Sequence, residues 1–205
     1  MKIKQLISNT FEANCYLILH QNKAVIIDPC VSVDIIQKEL ESHQLVGIFL
    51  THGHFDHILH LEELAQKYSV KIFLHQNAIE KLSDFRKNYS RLLSTKIELI
   101  FDEERLQTIN HLDKIYIFDD MPFTVFYTPG HTNCSVCYLI DKYLFTGDTL
   151  FKENIGRSDL YSGDFATLQK SLNFLKTFRD DIVVYPGHGM QTTIGDEKKN
   201  NYYFQ

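Results

Sequence analysis

Thr51-His52-Gly53-His54-Phe55-Asp56-His57 follows directly on Val46-Gly47-Ile48-Phe49-Leu50, an apolar run that reads as a buried strand. His52, His54, Asp56 and His57 all carry side chains that bind metal ions. Histidines and a carboxylate are costly to bury unless they are paired or coordinated. The stretch is therefore either a polar surface loop or one half of a metal site, and the rest of the chain has to separate the two.

Three more clusters of this kind follow apolar strands. Phe123–Tyr127 leads into Thr128-Pro129-Gly130-His131-Thr132, Tyr143–Phe145 into Thr146-Gly147-Asp148-Thr149, and Ile182–Tyr185 into Pro186-Gly187-His188-Gly189. Each has a glycine immediately before the candidate ligand, where backbone freedom and close approach are useful. A single His or Asp at a strand end is an ordinary turn residue or satisfied polar group. Four clusters in this order favour a metal site, because residues far apart in sequence converge when they sit at strand ends.

Around these clusters the chain reads as a globular protein of 205 residues, long enough for a substantial core. Strands are expected at 2–7, 15–20, 24–27, 46–50, 71–75, 114–118, 123–127, 136–140, 143–145 and 182–185. Helices are expected at 33–42, 57–68 and 164–178, with a helical stretch running to about Leu93. In that reading Asp56 sits at the N-terminus of the 57–68 helix, where the dipole favours a carboxylate. Strands arrive in consecutive groups separated by helices, which argues for mixed sheets covered by helices, an α/β or α+β layered domain.

A net charge of −5 with scattered lysines and arginines offers no footprint for nucleic acid and no polybasic segment for a membrane surface. No signal-peptide pattern opens the chain and no apolar run is long enough to span a bilayer, so a cytoplasmic location is expected. Cys15, Cys30, Cys134 and Cys137 do not form a disulfide framework for a chain of this size. Cys134 and Cys137 read as packed small residues.

The pattern H-x-H-x-D-H, then G-H-T, G-D-T and P-G-H-G, resembles the metallo-β-lactamase superfamily. Within it, the chain is most similar to the glyoxalase II-like thioester hydrolases (hydroxyacylglutathione hydrolase-like proteins). The resemblance covers nearly all of the chain, from Asp28-Pro29 to Thr193-Ile194-Gly195-Asp196-Glu197. It implies an αββα sandwich, two mixed sheets face to face with outer helices, in one domain over residues 1–205. It also implies two divalent metal ions, zinc first, with iron or manganese as alternatives. His52, His54 and His131 would bind the first ion, Asp56, His57 and His188 the second, and Asp148 would bridge them. Imidazole and carboxylate suit all three metals.

Such a centre implies attack of a metal-bridging hydroxide on the carbonyl of a small-molecule thioester such as a hydroxyacylglutathione, with no protein side chain as nucleophile. Asp28 is either an outer partner of a ligating histidine or a turn residue before proline. Arg157 matches a position where the family holds a cation against the substrate's carboxylate. Its other reading is a surface salt bridge. Asp159 and Met190 stand where larger glyoxalase II enzymes carry tyrosines. The C-terminal helical domain of those enzymes is not expected in the short tail after His188, so thioester chemistry carries over better than glutathione specificity.

Two other readings are kept. One is a mononuclear iron persulfide dioxygenase of the same superfamily, which shares the Gly156-Arg157-Ser158-Asp159 pattern but usually reads P-A-H-D-Y where this chain has Pro186-Gly187-His188-Gly189-Met190. The other is a non-catalytic metal-binding scaffold.

Overall fold

The first half of the chain builds a sheet around its most apolar strands. The computed structural model describes residues 1–204 and divides into two compact units, Met1–Ile109 and Asn110–Gln205. In the first unit, β1 (Lys2–Ile7), β2 (Asn14–His20) and β3 (Lys23–Ile27) form an antiparallel meander. Helix α1 (Val33–Glu39) then crosses over to β4 (Gln44–Phe49), α2 (Leu61–Tyr68) to β5 (Lys71–His75), and α3 (Ile79–Leu82) precedes β6 (Leu106–Ile109). Strands β3 to β6 are parallel, and the sheet order is β1-β2-β3-β4-β5-β6. Parallel strands require crossovers, and strands covered on both faces read as apolar runs: Ile26, Ile48, Phe49, Ile72 and Leu74 are all buried.

Because β3 and β4 run parallel, with Ile27 beside Phe49, their C-terminal ends lie side by side. Asp28 N donates to Phe49 O at 3.0 Å, and Leu50 N to Phe73 O at 2.9 Å. That pairing places Asp28 next to the Thr51–His57 stretch.

The second unit repeats the device. It contains β7 (Lys114–Phe118), β8 (Met121–Tyr127), β9 (Val136–Ile140), β10 (Tyr143–Gly147), β11 (Leu150–Phe151), β12 (Asn154–Ile155), α4 (Phe165–Leu175), β13 (Val183–Pro186), β14 (Thr192–Thr193) and α5 (Ile194–Asn200). The main sheet runs β14-β13-β10-β9-β8-β7, and β11 and β12 pair separately. Strand β10 is parallel to β13 and antiparallel to β9, which is antiparallel to β8. Strands β8, β10 and β13 therefore end at the same edge, and each ends in one of the polar clusters.

Helix α4 packs Leu168, Leu172 and Leu175 on Leu144 and Val184 of this sheet. Its start is fixed by Asp164, whose side chain accepts from Thr167 N at 2.7 Å. Gly130, at φ +136, touches α4 so closely that a Cβ there would lie 2.2 Å from the backbone of Leu168. Its carbonyl also takes Asp164 N at 2.8 Å. The glycine before His131 is thus required by helix packing as well as by backbone freedom.

Two helical expectations change. The helix expected at 57–68 begins only at Leu61, and Phe55–His57 is a 3₁₀ turn. Asp56 therefore lies in that turn, away from an α-helix start. The cause is a pair of contacts to a distant segment: His60 N is committed to Pro29 O at 3.0 Å, and His57 Nδ1 bonds Asp28 Oδ2 at 3.0 Å, which holds the turn before the regular helix starts. The stretch to Leu93 is likewise broken into short pieces, because side chains of Asp84 and Asn88 capture the backbone N–H groups of Arg86 and Ser90. No helix among the described residues is long and apolar enough to cross a membrane.

Candidate metal centre

The first unit gathers His52, His54, Asp56 and His57 in the loop after β4. The rings of His52 and His54 meet at 4.8 Å between centroids, those of His52 and His57 at 4.3 Å. All three histidines are buried, and Asp56 is partly exposed. His57 Nε2 lies 3.8 Å from Asp56 Oδ2.

Beneath them sits Asp28, almost fully buried. Its Oδ1 accepts from Thr51 N at 2.8 Å and its Oδ2 from the Thr51 hydroxyl at 2.6 Å. The same Oδ2 lies 3.0 Å from His57 Nδ1, and the Thr51 hydroxyl oxygen lies 3.0 Å from His52 Nδ1. The pattern has one consistent proton arrangement. Thr51 gives its proton to the carboxylate, so it accepts from His52 Nδ1–H, while His57 Nδ1–H donates to Asp28 directly. Asp28, Thr51 and the two histidines form one network, and it fixes both rings with the lone pair on Nε2.

Ligand atoms of Asp28, His52 and His57 lie within 4.8 Å of one another. Both oxygens of Asp28 are already engaged, so it orients ligands better than it could serve as one. Asp28 adopts φ 54, a conformation that Asp tolerates through its short polar side chain.

In the second unit, Asp148 stands between two imidazoles. Its Oδ2 lies 3.5 Å from His131 Nε2 and 3.7 Å from His188 Nε2. His131 Nδ1 donates to the backbone carbonyl of Arg157 at 2.6 Å, so this ring too presents Nε2 as its lone-pair atom. The β11–β12 hairpin makes the contact possible by bringing Gly156 back onto β10's end. A Cβ on Gly156 would fall 1.8 Å from the carbonyl oxygen of Asp148 and 3.1 Å from His131 Nδ1.

The donor sets fit divalent cations. They consist of imidazoles and carboxylates, and the tautomers of His52, His57 and His131 are set by bonds from Nδ1. No thiol belongs to either set. Cys15, Cys30, Cys134 and Cys137 are buried and reduced, and burial pushes the thiols of Cys15, Cys30 and Cys137 up, that of Cys137 to about 12.

The Arg157 side chain forks onto Asp159 instead, with Nε and Nη2 each 2.7 Å from a carboxylate oxygen. The pair is exposed, and the guanidinium draws the Asp159 carboxyl down to about 2. What the sequence reading missed at this site is Thr51 and the backbone carbonyl of Arg157. Thr51 heads the quoted stretch, but nothing in a threonine's identity marks it as a relay. A carbonyl leaves no mark in the sequence at all. Gly156 carried a faint signal, as a glycine within Asn154–Asp159.

The metallo-beta-lactamase superfamily model matches residues 9–188, which takes in every candidate ligand. This chain belongs to the metallo-β-lactamase superfamily. Members of that superfamily bind divalent metals and are metal-dependent hydrolases. The hydroxyacylglutathione hydrolase GloC of Haemophilus influenzae is 32% identical over 98% of this chain and 97% of its own length. The crystal structure of the BLEG-1 B3 metallo-β-lactamase superposes with a TM-score of 0.91 at 33% identity, covering 100% of both chains. That of ETHE1 from Myxococcus xanthus gives a TM-score of 0.80 at 28% identity, over 98% of this chain and 84% of the other. The two mixed sheets with their helices are this superfamily's fold.

Proposed function

We propose that this superfamily member is a dinuclear metal-dependent thioesterase acting on S-acyl derivatives of small thiols such as hydroxyacylglutathione. His52, His54 and His131 would hold one ion, and Asp56, His57 and His188 the other. Asp148 would be shared between them. The observation that carries the reading is the position of Asp148 Oδ2, within 4 Å of both His131 Nε2 and His188 Nε2. A carboxylate oxygen beside two imidazoles that the resemblance assigns to different ions supports its being shared.

When bound, two divalent ions supply Lewis acidity toward a carbonyl oxygen and make water a nucleophile near neutral pH. The chain's own part is to hold the ligands. Asp28 and Thr51 keep His52 and His57 in the metal-binding tautomer, and the Arg157 carbonyl does the same for His131. No side chain is asked to protonate the leaving group, because a thiol of pKa about 8.5 departs as thiolate. An amide nitrogen has no such option. This favours a thioester over a lactam, although the similar BLEG-1 protein is named a B3 metallo-β-lactamase. The relative named hydroxyacylglutathione hydrolase supports the thioester class.

We take the ions to be zinc, with iron or manganese as alternatives, and the location to be cytoplasmic. Arg157 can turn to a carboxylate on the thiol by releasing Asp159.

The test is metal analysis of protein purified without added metal, alongside a panel of acyl thioesters and a β-lactam. Thioester turnover that chelator removes and zinc restores is the expected result. Hydrolysis of the lactam alone would move the activity to the other branch. Oxygen uptake with a persulfide, at one iron per chain, would move it to the dioxygenase.

A further inference from the structure

Glu197 is a carboxylate buried one turn into α5, at 1% exposure. Burying an ion is costlier than burying an apolar side chain, so stability alone does not call for it there. Three uncharged donors from three segments fill its oxygens. Oε1 accepts from the Thr192 hydroxyl at 2.6 Å, and Oε2 from Glu153 N at 2.8 Å and Asn201 Nδ2 at 2.7 Å. Buried Asn201 also donates from Nδ2 to the carbonyl of Asn154 at 3.0 Å.

Glu153 and Asn154 belong to the exposed turn of the β11–β12 hairpin, and Glu153 sits at φ 56. A non-glycine residue avoids that region unless its surroundings impose it. Here Glu197 and Asn201 impose it, taking the amide of Glu153 and the carbonyl of Asn154 from the buried side. The strand that leaves the turn, β12, runs directly into Gly156 and Arg157. Gly156 has no room for a Cβ against the Asp148 carbonyl, so this short segment is fixed at both ends. The next carbonyl along, that of Arg157, accepts from His131 Nδ1 at 2.6 Å. Asn154 and Arg157 are about 10 Å apart at full extension, which leaves the carbonyl little freedom.

We propose that Glu197 and Asn201 are positioning residues for the metal centre. They clamp the hairpin that aims the Arg157 carbonyl at His131, and so keep that ring with Nε2 as its lone-pair atom. The inference rests on His131 being a ligand, as proposed above, and adds the C-terminal helix to the parts that hold the ligands. The same hairpin reaches the other imidazole beside Asp148, since the Phe151 ring meets that of His188 edge to face at 6.0 Å between centroids.

The test reads the His131 tautomer in metal-free protein, by long-range proton–nitrogen NMR on isotope-labelled histidines. It is run at mildly alkaline pH, where imidazoles are neutral, and a His131→Gln spectrum assigns the peaks. Wild-type protein should hold His131 protonated at Nδ1. Glu197→Ala should populate the form protonated at Nε2 and leave His52 and His57 as they are. Divalent-ion affinity, by chelator competition, should fall about tenfold, the lower end of the usual effect of losing a ligand's outer partner. Glu197→Gln should keep both, because its amide oxygen still accepts from Glu153 and Asn201 while its NH₂ donates to the Thr192 hydroxyl. Asn201→Ala should move the tautomer in the same direction by less, and carries the test if Glu197→Ala does not fold. Phe118→Leu loosens the packing of the same unit from β7, at the opposite edge of the sheet from β14, and should leave the tautomer alone.

A wild-type His131 protonated at Nε2, an unchanged tautomer in the Glu197→Ala or Asn201→Ala protein, or an equal shift in Phe118→Leu would overturn the proposal. So would a Glu197→Gln protein as disturbed as Glu197→Ala. A tautomer shift with ion affinity unchanged would remove His131 from the ligand set and leave the clamp standing. Bound ions with no thioester turnover would sink the hydrolase reading and not this one.

Discussion

His57 Nδ1 and Asp28 Oδ2 lie 3.0 Å apart, and that one oxygen also takes the hydroxyl of Thr51. A single buried carboxylate therefore sets the ring of His57 directly and that of His52 through Thr51. The relationship follows from parallel pairing, since β3 and β4 end side by side. Asn in place of Asp28 would present an NH₂ group where two donors now converge. Asp28→Asn is expected to weaken divalent-ion affinity by about 10- to 100-fold, the usual effect of losing such an outer partner. Competition against a chromophoric chelator measures it, and unchanged affinity would mean that the rings are held by something else.

Gly156 is the second point where geometry leaves no slack. Gly156→Ala would drive a methyl group into the Asp148 carbonyl and against His131. The chain must shift there, at a cost of about 1–3 kcal/mol for an overpacked position. The thermal midpoint should fall, and metal content should fall with it because Asp148 moves. A variant with a lowered midpoint and full metal content would separate Gly156 from the site.

The pattern of candidate ligands was legible because metal chemistry restricts residue types so tightly. His52, His54, Asp56 and His57 announce themselves by spacing, and His131, Asp148 and His188 by their place at strand ends. The strands were legible because the buried parallel ones are nearly continuous apolar runs, such as Val46–Leu50. The rest depended on contacts without a local signature. The late start of α2 follows from the bond of His60 N to Pro29 O, between residues far apart in sequence. The edge strand β6 and the two-residue β14 are too short or too polar to show a period. Helix α5 is organised by Glu197, a buried carboxylate taking the Thr192 hydroxyl at 2.6 Å and Glu153 N at 2.8 Å. Apart from buried Ile194 at its start, its sequence offers no apolar side chain to mark a helix face.

The cysteines should be chemically silent. Burial pushes the thiols of Cys15, Cys30 and Cys137 far above neutrality, and the thiolate is the reactive form. A maleimide at pH 8 should label none of the four in the folded protein and all four in denaturant, counted by intact mass. Rapid labelling of Cys134 or Cys137 in the folded state would contradict their reading as packed, unreactive residues.

Asp148 and His188 should differ in what their loss removes. As the proposed shared ligand, Asp148→Ala is expected to deplete both ions, whereas His188→Ala should mainly deplete one. Metal counts per chain after gel filtration distinguish the two. Full metal content in Asp148→Ala would show that the carboxylate is not shared.

The central claim is that seven side chains hold two ions that together hydrolyse a thioester, and one titration tests it. Apo protein is titrated with zinc while the rate of acyl-thioester cleavage is followed at each step. The account predicts a rate that saturates at about two ions per chain and disappears with chelator. Full activity at one ion, or two ions bound with no thioester cleaved, would contradict it.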